Sequence, residues 1–208
     1  GFSCTTPEIM MAKDLAQKVV GRTIVGGAHP SLCLGDCENY FDYCVVGEGE
    51  DLILDILSGK ASKGVIHAPR IKELDTIPYP AWDLVKEPFS AELFPGERYG
   101  ASEKAGTILA SRGCPYSCAF CANIYRTVNY RSVGNIIGEL EQLIERGIHY
   151  VRFEDDNFTL HPAFRSLCNQ IKRIGMRYKC HTRSNLLTKK MAEIMAWSGC
   201  EERGLGVE

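Results

Sequence analysis

Several things are scarce in this sequence, and each scarcity closes off a class of function. No apolar run approaches the roughly 18 residues that a membrane-spanning helix needs, so no span is expected. Basic residues are dispersed among acidic ones, 24 against 26, for a formal charge of −2. A nucleic-acid surface is built from a basic stripe or patch, which this distribution does not supply. The opening residues carry no signal-peptide pattern, and no tract is of low complexity. What is plentiful is cysteine, ten in 208 residues. Such a count suits a disulfide framework only in a small, loop-rich secreted protein. This chain instead repeats strand–helix units, which points to a reducing cytoplasm. Cys168 and Cys180 stand among apolar residues and read as core cysteines.

The strand–helix rhythm starts at once. Gly1-Phe2-Ser3 reads as the tail of a strand. Residues 7–20 read as a helix, with Thr6 as cap, Pro7 in the first turn and Ile9, Met10, Leu15, Ala16 and Val19 at helical spacing. Thr23-Ile24-Val25 is a short buried strand ending in Gly26-Gly27, and Tyr43-Cys44-Val45-Val46 is another, ending in Gly47-Glu48-Gly49-Glu50. A helix follows over 51–57. Alternation of this kind predicts a parallel sheet covered by helices. Residues 60–104 break the periodicity with Ile77-Pro78-Tyr79-Pro80-Ala81-Trp82 and Phe94-Pro95-Gly96-Glu97, and read as an ordered connector anchored by Tyr79 and Trp82.

From Gly106 the rhythm resumes. Strands are predicted over 107–110, 150–153, 177–181 and from Gly204, with helices over 133–146, 162–174 and 189–197 between them. Ser132 is the expected cap of the first, whose inner face carries Ile136, Ile137, Leu140, Leu143 and Ile144. Four strands and three helices make half of a (β/α) barrel. The expected fold class is therefore α/β: an incomplete Rossmann-like domain over residues 1–60, a connector over 61–104 and a partial (β/α) barrel over 105–208. Both ends of the chain fall inside a strand, so it is expected to be a piece of something longer.

Cys114, Cys118 and Cys121 stand in Ser111-Arg112-Gly113-Cys114-Pro115-Tyr116-Ser117-Cys118-Ala119-Phe120-Cys121, a C-x3-C-x2-C array. Cysteine thiolates hold iron–sulfur clusters, and a cubane cluster ordinarily takes four. Three protein ligands leave one iron open, and an open metal position is where chemistry occurs. The array follows the first strand of the second half, and βα barrels gather their active sites in the loops after strands. Gly113 and Pro115 allow a sharp turn, while Arg112 and Arg126 lower the cost of thiolate charge. The rival is a structural zinc site, whose fourth ligand would have to be Cys180, Cys200 or a histidine, none at a suggestive spacing.

The array resembles the signature of the radical S-adenosylmethionine (SAM) superfamily, C-x3-C-x-aromatic-C, with Phe120 in the aromatic slot. The resemblance covers about residues 105–208. It implies that Cys114, Cys118 and Cys121 hold a 4Fe-4S cluster whose open iron chelates the amino and carboxylate groups of SAM. One electron would then split a carbon–sulfur bond to give a 5′-deoxyadenosyl radical. By the same resemblance, Phe120 borders the adenine. Asp155 and Asp156 lie where the methionine amino group is met, in a turn that is acidic here rather than glycine-rich. Arg183 and Ser184 fall where the carboxylate or ribose is bound, and Glu208 where a ribose contact is often found. Each of these five polar residues also reads as an ordinary solvated loop residue.

In open parallel sheets, ligands bind beyond the carboxyl ends of the strands. Ser3, Gly26-Gly27 and Gly47-Glu48-Gly49 occupy that edge, and paired glycines suit close approach of a ligand or backbone. Taken in order with Ile77-Pro78-Tyr79-Pro80-Ala81-Trp82 and the cysteine array, they resemble the cobalamin-binding radical SAM proteins. The resemblance implies that Ser3, Gly26, Gly27, Gly47 and Gly49 flank the cobalamin nucleotide tail. The Asp-x-His-x-x-Gly loop that can place a histidine below cobalt does not occur here. His29 reads as a loop or structural histidine rather than a cobalt ligand. Cys33-x3-Cys37 reads as a pair of surface-loop thiols.

The resemblance thus implies an enzyme with a 4Fe-4S cluster, SAM and cobalamin, an electron donor such as flavodoxin or ferredoxin, and an unidentified substrate. Its reaction would be methyl transfer to an unactivated carbon or phosphorus, or a ring-forming rearrangement. Two alternatives stay open: a radical SAM enzyme that does not use cobalamin, and a non-enzymatic iron–sulfur interaction or electron-transfer protein.

Overall fold

Short β-branched and aromatic runs bounded by glycine make the strands of the first half. In the computed structural model, which describes residues 1–84, 89–90 and 104–206, these are β1 (Phe2–Ser3), β2 (Ile24–Gly26), β3 (Tyr43–Val46) and β4 (Gly64–His67). They lie side by side in that order, all parallel. Helices α1 (Ile9–Ala16), α2 (Ala28–Leu32) and α3 (Ile53–Leu57) join them. Both faces of this sheet are covered, as parallel sheets require. Val25 and Cys44 pack with Cys4, Ile9, Ala12 and Phe41, while Tyr43 and Val45 pack with Ile56.

Three expectations shift here. The helix expected over 7–20 ends at Ala16, because Val19 and Val20 face solvent and a β-branched pair gains nothing from helix it cannot bury. A 3-10 turn over Thr6–Glu8 leads into it, and that turn is capped by Thr5, one residue before the expected Thr6, through a capping box with Glu8. β4 falls in the segment read from sequence as connector, since four residues between Gly64 and Pro69 carry too little pattern to be seen. Cys37, expected at the surface, is fully buried against α1 and β2, whereas Cys33 is exposed.

The second half begins with β5 (Phe89–Ser90), antiparallel to β6 (Lys104–Ile108). A small antiparallel pair follows, β7 (Ser111–Arg112) with β8 (Asn129–Tyr130). Then come α4 (Val133–Glu145), β9 (Tyr150–Phe153), α5 (Phe164–Ile174), β10 (Arg177–Arg183), α6 (Lys189–Ser198) and β11 (Cys200–Gly206). The main sheet runs β11-β10-β9-β6-β5, parallel except at the β5 edge. This is the expected βα half-barrel. Ser132 caps α4 by accepting from Asn135 N, as its sequence indicated. β11 starts earlier than expected. A register shift after Tyr178 lets Glu202 and Arg203 pair, and such polar residues hide a strand from pattern reading. Val207, Glu208 and Phe94-Pro95-Gly96-Glu97 lie outside the described residues.

Period-two alternation sorts the strand side chains. Ile108, Val151, Phe153, Tyr178 and Cys180 face the helices and join Ile136, Leu140, Leu143, Leu167 and Ile171 in one core. Phe158, 1 % exposed, sits at its centre, 4.7 Å from the Phe153 ring and 5.5 Å from Tyr178. Thr107, Arg152, Lys179 and His181 occupy the alternate positions and face the other way. There Lys179 Nζ meets Glu202 Oε1 at 2.8 Å and Arg152 Nη2 meets Glu154 Oε2 at 3.0 Å. A closed βα barrel usually fills that face with branched apolar residues; a charged one suits a polar ligand.

By contact the chain divides into one unit of residues 1–72 with 118–124 and another of residues 73–117 with 125–208. Among the described residues, no helix is long and apolar enough to cross a membrane.

Candidate cluster and cofactor sites

The cysteine loop grows out of the carboxyl end of β6. β7 and β8 form its stem, with Ser111 opposite Tyr130 and Arg112 opposite Asn129. The root is fixed from two sides. Arg131 donates from Nη1 to Leu109 O at 2.8 Å, and its own N–H donates to Ala110 O at 2.9 Å. Opposite, Asp155 is 2 % exposed and accepts from Ala110 N at 2.9 Å and from Ser111 Oγ at 2.5 Å. Burial pushes the Asp155 carboxyl up to about 6, and the two hydrogen bonds hold it from rising further.

Beyond the stem, Cys114 N donates to Tyr125 O at 3.0 Å, and Cys121 N to Cys118 O at 3.0 Å. Asn157 donates from Nδ2 to Cys114 Sγ at 3.1 Å. Arg183, at the end of β10, lies over the Tyr116 ring at 4.4 Å and donates from Nε to Asn185 Oδ1 at 3.2 Å. Arg126 reaches Tyr116 O at 3.4 Å.

The donor set fits an iron–sulfur cluster. None of the ten cysteines is in a disulfide; Cys114 and Cys118 are half-buried and Cys121 is exposed. Asn157 is 4 % exposed, yet its Oδ1 is a buried acceptor with no hydrogen-bond partner among the described residues. An orphaned acceptor beside the Cys114 thiol suits a donor group bound next to the cysteine loop, not the sulfurs of a cluster, which only accept. Among the described residues, no three His, Cys, Asp or Glu side chains close on a single metal ion; a cubane instead takes its thiolates on separate irons. The thiols considered as a fourth zinc ligand, Cys180 and Cys200, lie side by side in the core, 3.9 Å apart.

The expected SAM residues separate on inspection. Asp155 gives both carboxylate oxygens to the loop root, so it positions that root. Asp156 is exposed, Ser184 is exposed at the start of a 3-10 turn, and Phe120 is 68 % exposed. Arg183 is half-buried against Tyr116. Glu208 lies outside the described residues. Asn157 was missed because a lone Asn in an acidic turn carries no pattern.

A cavity of about 420 Å³ opens at the carboxyl end of β6, lined by Ile77, Tyr79, Trp82, Thr107, Arg112 and Glu154 among others. Its wall is keyed to α4. Tyr79 Oη donates to Asn135 O at 2.9 Å, Trp82 Nε1 donates to Glu139 Oε1 at 3.4 Å, and Arg131 Nη1 meets the buried Glu139 Oε2 at 2.6 Å.

In the first unit, the strand ends bring Ser3, Gly26, Gly27 and Gly47 to one edge. Ser3 pairs with Gly26. Gly27 has φ 97° and ψ −161°, and a Cβ there would stand 3.0 Å from Ser3 Oγ and 3.1 Å from Cys4 N. Only glycine fits that backbone and that approach. Ser31, unnoticed in the sequence, ties the edge together: its Oγ donates to Gly27 O at 2.7 Å and accepts from Gly47 N at 3.1 Å. Gly49 stands at the entry to α3, its carbonyl accepting from Leu52 and Ile53. His29 is 2 % exposed, with Nδ1 3.0 Å from Thr6 Oγ1 and Nε2 3.4 Å from Asp36 Oδ2. The Thr6 hydrogen bond ties it to the turn before α1, while Nε2 makes no hydrogen bond among the described residues.

A family model described as the Radical SAM superfamily matches residues 108–208. Bacteriochlorophyllide d C-12(1)-methyltransferase of Chlorobaculum tepidum is 29 % identical over 197 residues, covering 89 % of this chain and 41 % of that protein. Hopanoid C-2 methylase of Rhodopseudomonas palustris is 34 % identical over 142 residues, covering 64 % and 25 %. Among solved structures, the radical SAM methyltransferase TsrM from Kitasatospora setae, with cobalamin and a 4Fe-4S cluster bound, is similar with a TM-score of 0.69 at 16 % identity. That likeness covers 97 % of this chain and 46 % of TsrM, and it shows a shared fold. The chain spans less than half the length of these relatives. The family match over residues 108–208 coincides with the half-barrel whose first strand leads into the C-x3-C-x2-C loop, so this part of the chain is a radical SAM domain.

Proposed function

We propose that the protein is a cobalamin-dependent radical SAM enzyme of the reducing cytoplasm that transfers a methyl group to an unactivated atom. One observation carries the reading: three cysteines at C-x3-C-x2-C spacing, in no disulfide, on a loop whose root is clamped by Asp155 and Arg131, with a buried amide on Cys114. Cys114, Cys118 and Cys121 would hold the 4Fe-4S cluster. Phe120, Asp156, Arg183, Ser184 and Glu208 would face SAM. Ser3, Gly26, Gly27, Gly47 and Gly49 would flank cobalamin in a domain over residues 1–60 that also takes in β4, with the barrel over 105–208. Bound, these groups supply an electron that cleaves SAM and a carrier for the methyl group. The chain's own part is to fix the loop, present a polar face for the substrate and keep water from the reacting atoms. An external one-electron donor of the flavodoxin or ferredoxin class would reduce the cluster. Methyl transfer is put ahead of ring closure because the methylating relatives match at 29 % and 34 % identity, whereas two anaerobic magnesium-protoporphyrin IX monomethyl ester cyclases match at 23 %.

The test is anaerobic reconstitution of the full-length protein with iron, sulfide, SAM and cobalamin. The expected result is reductant-dependent 5′-deoxyadenosine and cobalamin that stays with the protein through gel filtration. 5′-Deoxyadenosine without retained cobalamin would leave a radical SAM enzyme that does not use it. A cluster that neither binds nor cleaves SAM would make the protein an electron-transfer or interaction module.

A further inference from the structure

We infer that Asn157 is a positioning residue for the cluster, setting its reduction potential through an N–H···S hydrogen bond to Cys114; the inference rests on the three-cysteine assignment above. Asn157 Nδ2 stands 3.1 Å from Cys114 Sγ, and the residue is 4 % exposed. Its place is not left to the loop. The next residue, Phe158, is locked between Phe153, Phe164 and Tyr178, at ring distances of 4.7, 6.0 and 5.5 Å. Asn157 O accepts from Leu160 N at 3.1 Å, which closes the 3-10 turn. Two residues back, Asp155 pins Ala110 and Ser111. One turn therefore holds the loop root and touches the first ligand thiol from inside the core.

The chemistry follows from charge. Reducing the cluster by one electron adds a negative charge that spreads onto its sulfurs. A donor aimed at a ligand sulfur favours the more negative state, so it raises the potential. In a buried setting that effect is not screened by water. Removing the donor while keeping the shape should lower the potential. Replacing it with a carboxylate should lower it further.

The experiment is an EPR-monitored dithionite titration, with mediators and no SAM, of the reconstituted full-length protein and of Asn157→Leu, Asn157→Asp and Asn157→Gln. Iron, sulfide and thermal unfolding are measured on each. Support is a midpoint potential that falls in Asn157→Leu, falls more in Asn157→Asp and is partly restored in Asn157→Gln, at unchanged iron content. Loss of iron in Asn157→Leu with retention in Asn157→Gln also supports it, because only the latter keeps an amide donor. Equal potentials in the original protein and Asn157→Leu would overturn it. So would loss of iron in all three variants, which would make the position a matter of packing. If the unsubstituted protein holds no cluster, the three-cysteine assignment fails and takes this inference with it. A cluster there with unmoved potentials defeats the Asn157 role alone.

Discussion

Replacing Asp155 with Asn changes one charge and almost no volume, so it isolates what burying that charge costs. Asp155 is 2 % exposed, and its carboxyl is pushed from 3.8 up to about 6 by burial. A folded-state pKa raised above the unfolded one means that the folded protein binds more protons between the two values. Stability from this group is fully present below pH 3.8 and is lost as pH rises through about 6. The shift of about two units corresponds to roughly 3 kcal/mol at about 1.4 kcal/mol per unit. Asn keeps an acceptor for Ala110 N, and its amide can donate to Ser111 Oγ, so the fold should survive. The assay is urea unfolding of both proteins at pH 4, 5, 6 and 7, read as the difference between them. That subtraction removes every other titrating group. The protein with Asp155 should lose roughly 2 kcal/mol relative to Asp155→Asn between pH 4 and pH 7, the rest of the change lying below pH 4. A flat difference, or one that moves in favour of Asp155 as pH rises, would refute the reasoning. Asp155→Ala is a different perturbation: it strands two buried donors at about 1–3 kcal/mol each and should destabilise at every pH.

Two other substitutions probe separate parts of the account. Gly27→Ala forces a side chain into a glycine-only backbone region and toward Ser3 Oγ. It should cost about 1–3 kcal/mol in thermal or urea unfolding and remove cobalamin retention by the full-length protein; unchanged retention would detach this edge from cobalamin. Glu139→Gln leaves Arg131 buried without its carboxylate and should cost about 3 kcal/mol in urea unfolding. That is the low end of such effects, because Arg131 also donates to Asn135 Oδ1 and Leu109 O; a loss under 1 kcal/mol would show the pair to be dispensable.

Much of the fold was legible because helices and buried strands repeat at fixed periods. The α4 stripe of Ile136, Ile137, Leu140 and Leu143 and the Tyr150–Phe153 strand emerge from the sequence as they stand in the structure. β4 and the start of β11 were hidden because one is four residues long and the other opens on Glu201, Glu202 and Arg203. In the site, the three cysteines announce themselves by spacing. Asp155 was visible as an acid, but its part was not, since clamping Ala110 and Ser111 depends on a strand pairing some 45 residues away in sequence. Asn157 and Ser31 act by single hydrogen bonds from buried turns, and no periodicity marks such a residue. Cys37 looked like half of a surface pair because sequence spacing says nothing of which way a turn folds.

The most direct measurement is iron and acid-labile sulfide in the anaerobically purified full-length protein and in Cys114→Ala, Cys118→Ala and Cys121→Ala. The account expects about four irons and four sulfides per chain in the original, and loss of the cluster in each variant with the fold retained. A colourless, iron-free, folded original protein would contradict it, as would three variants that keep their iron.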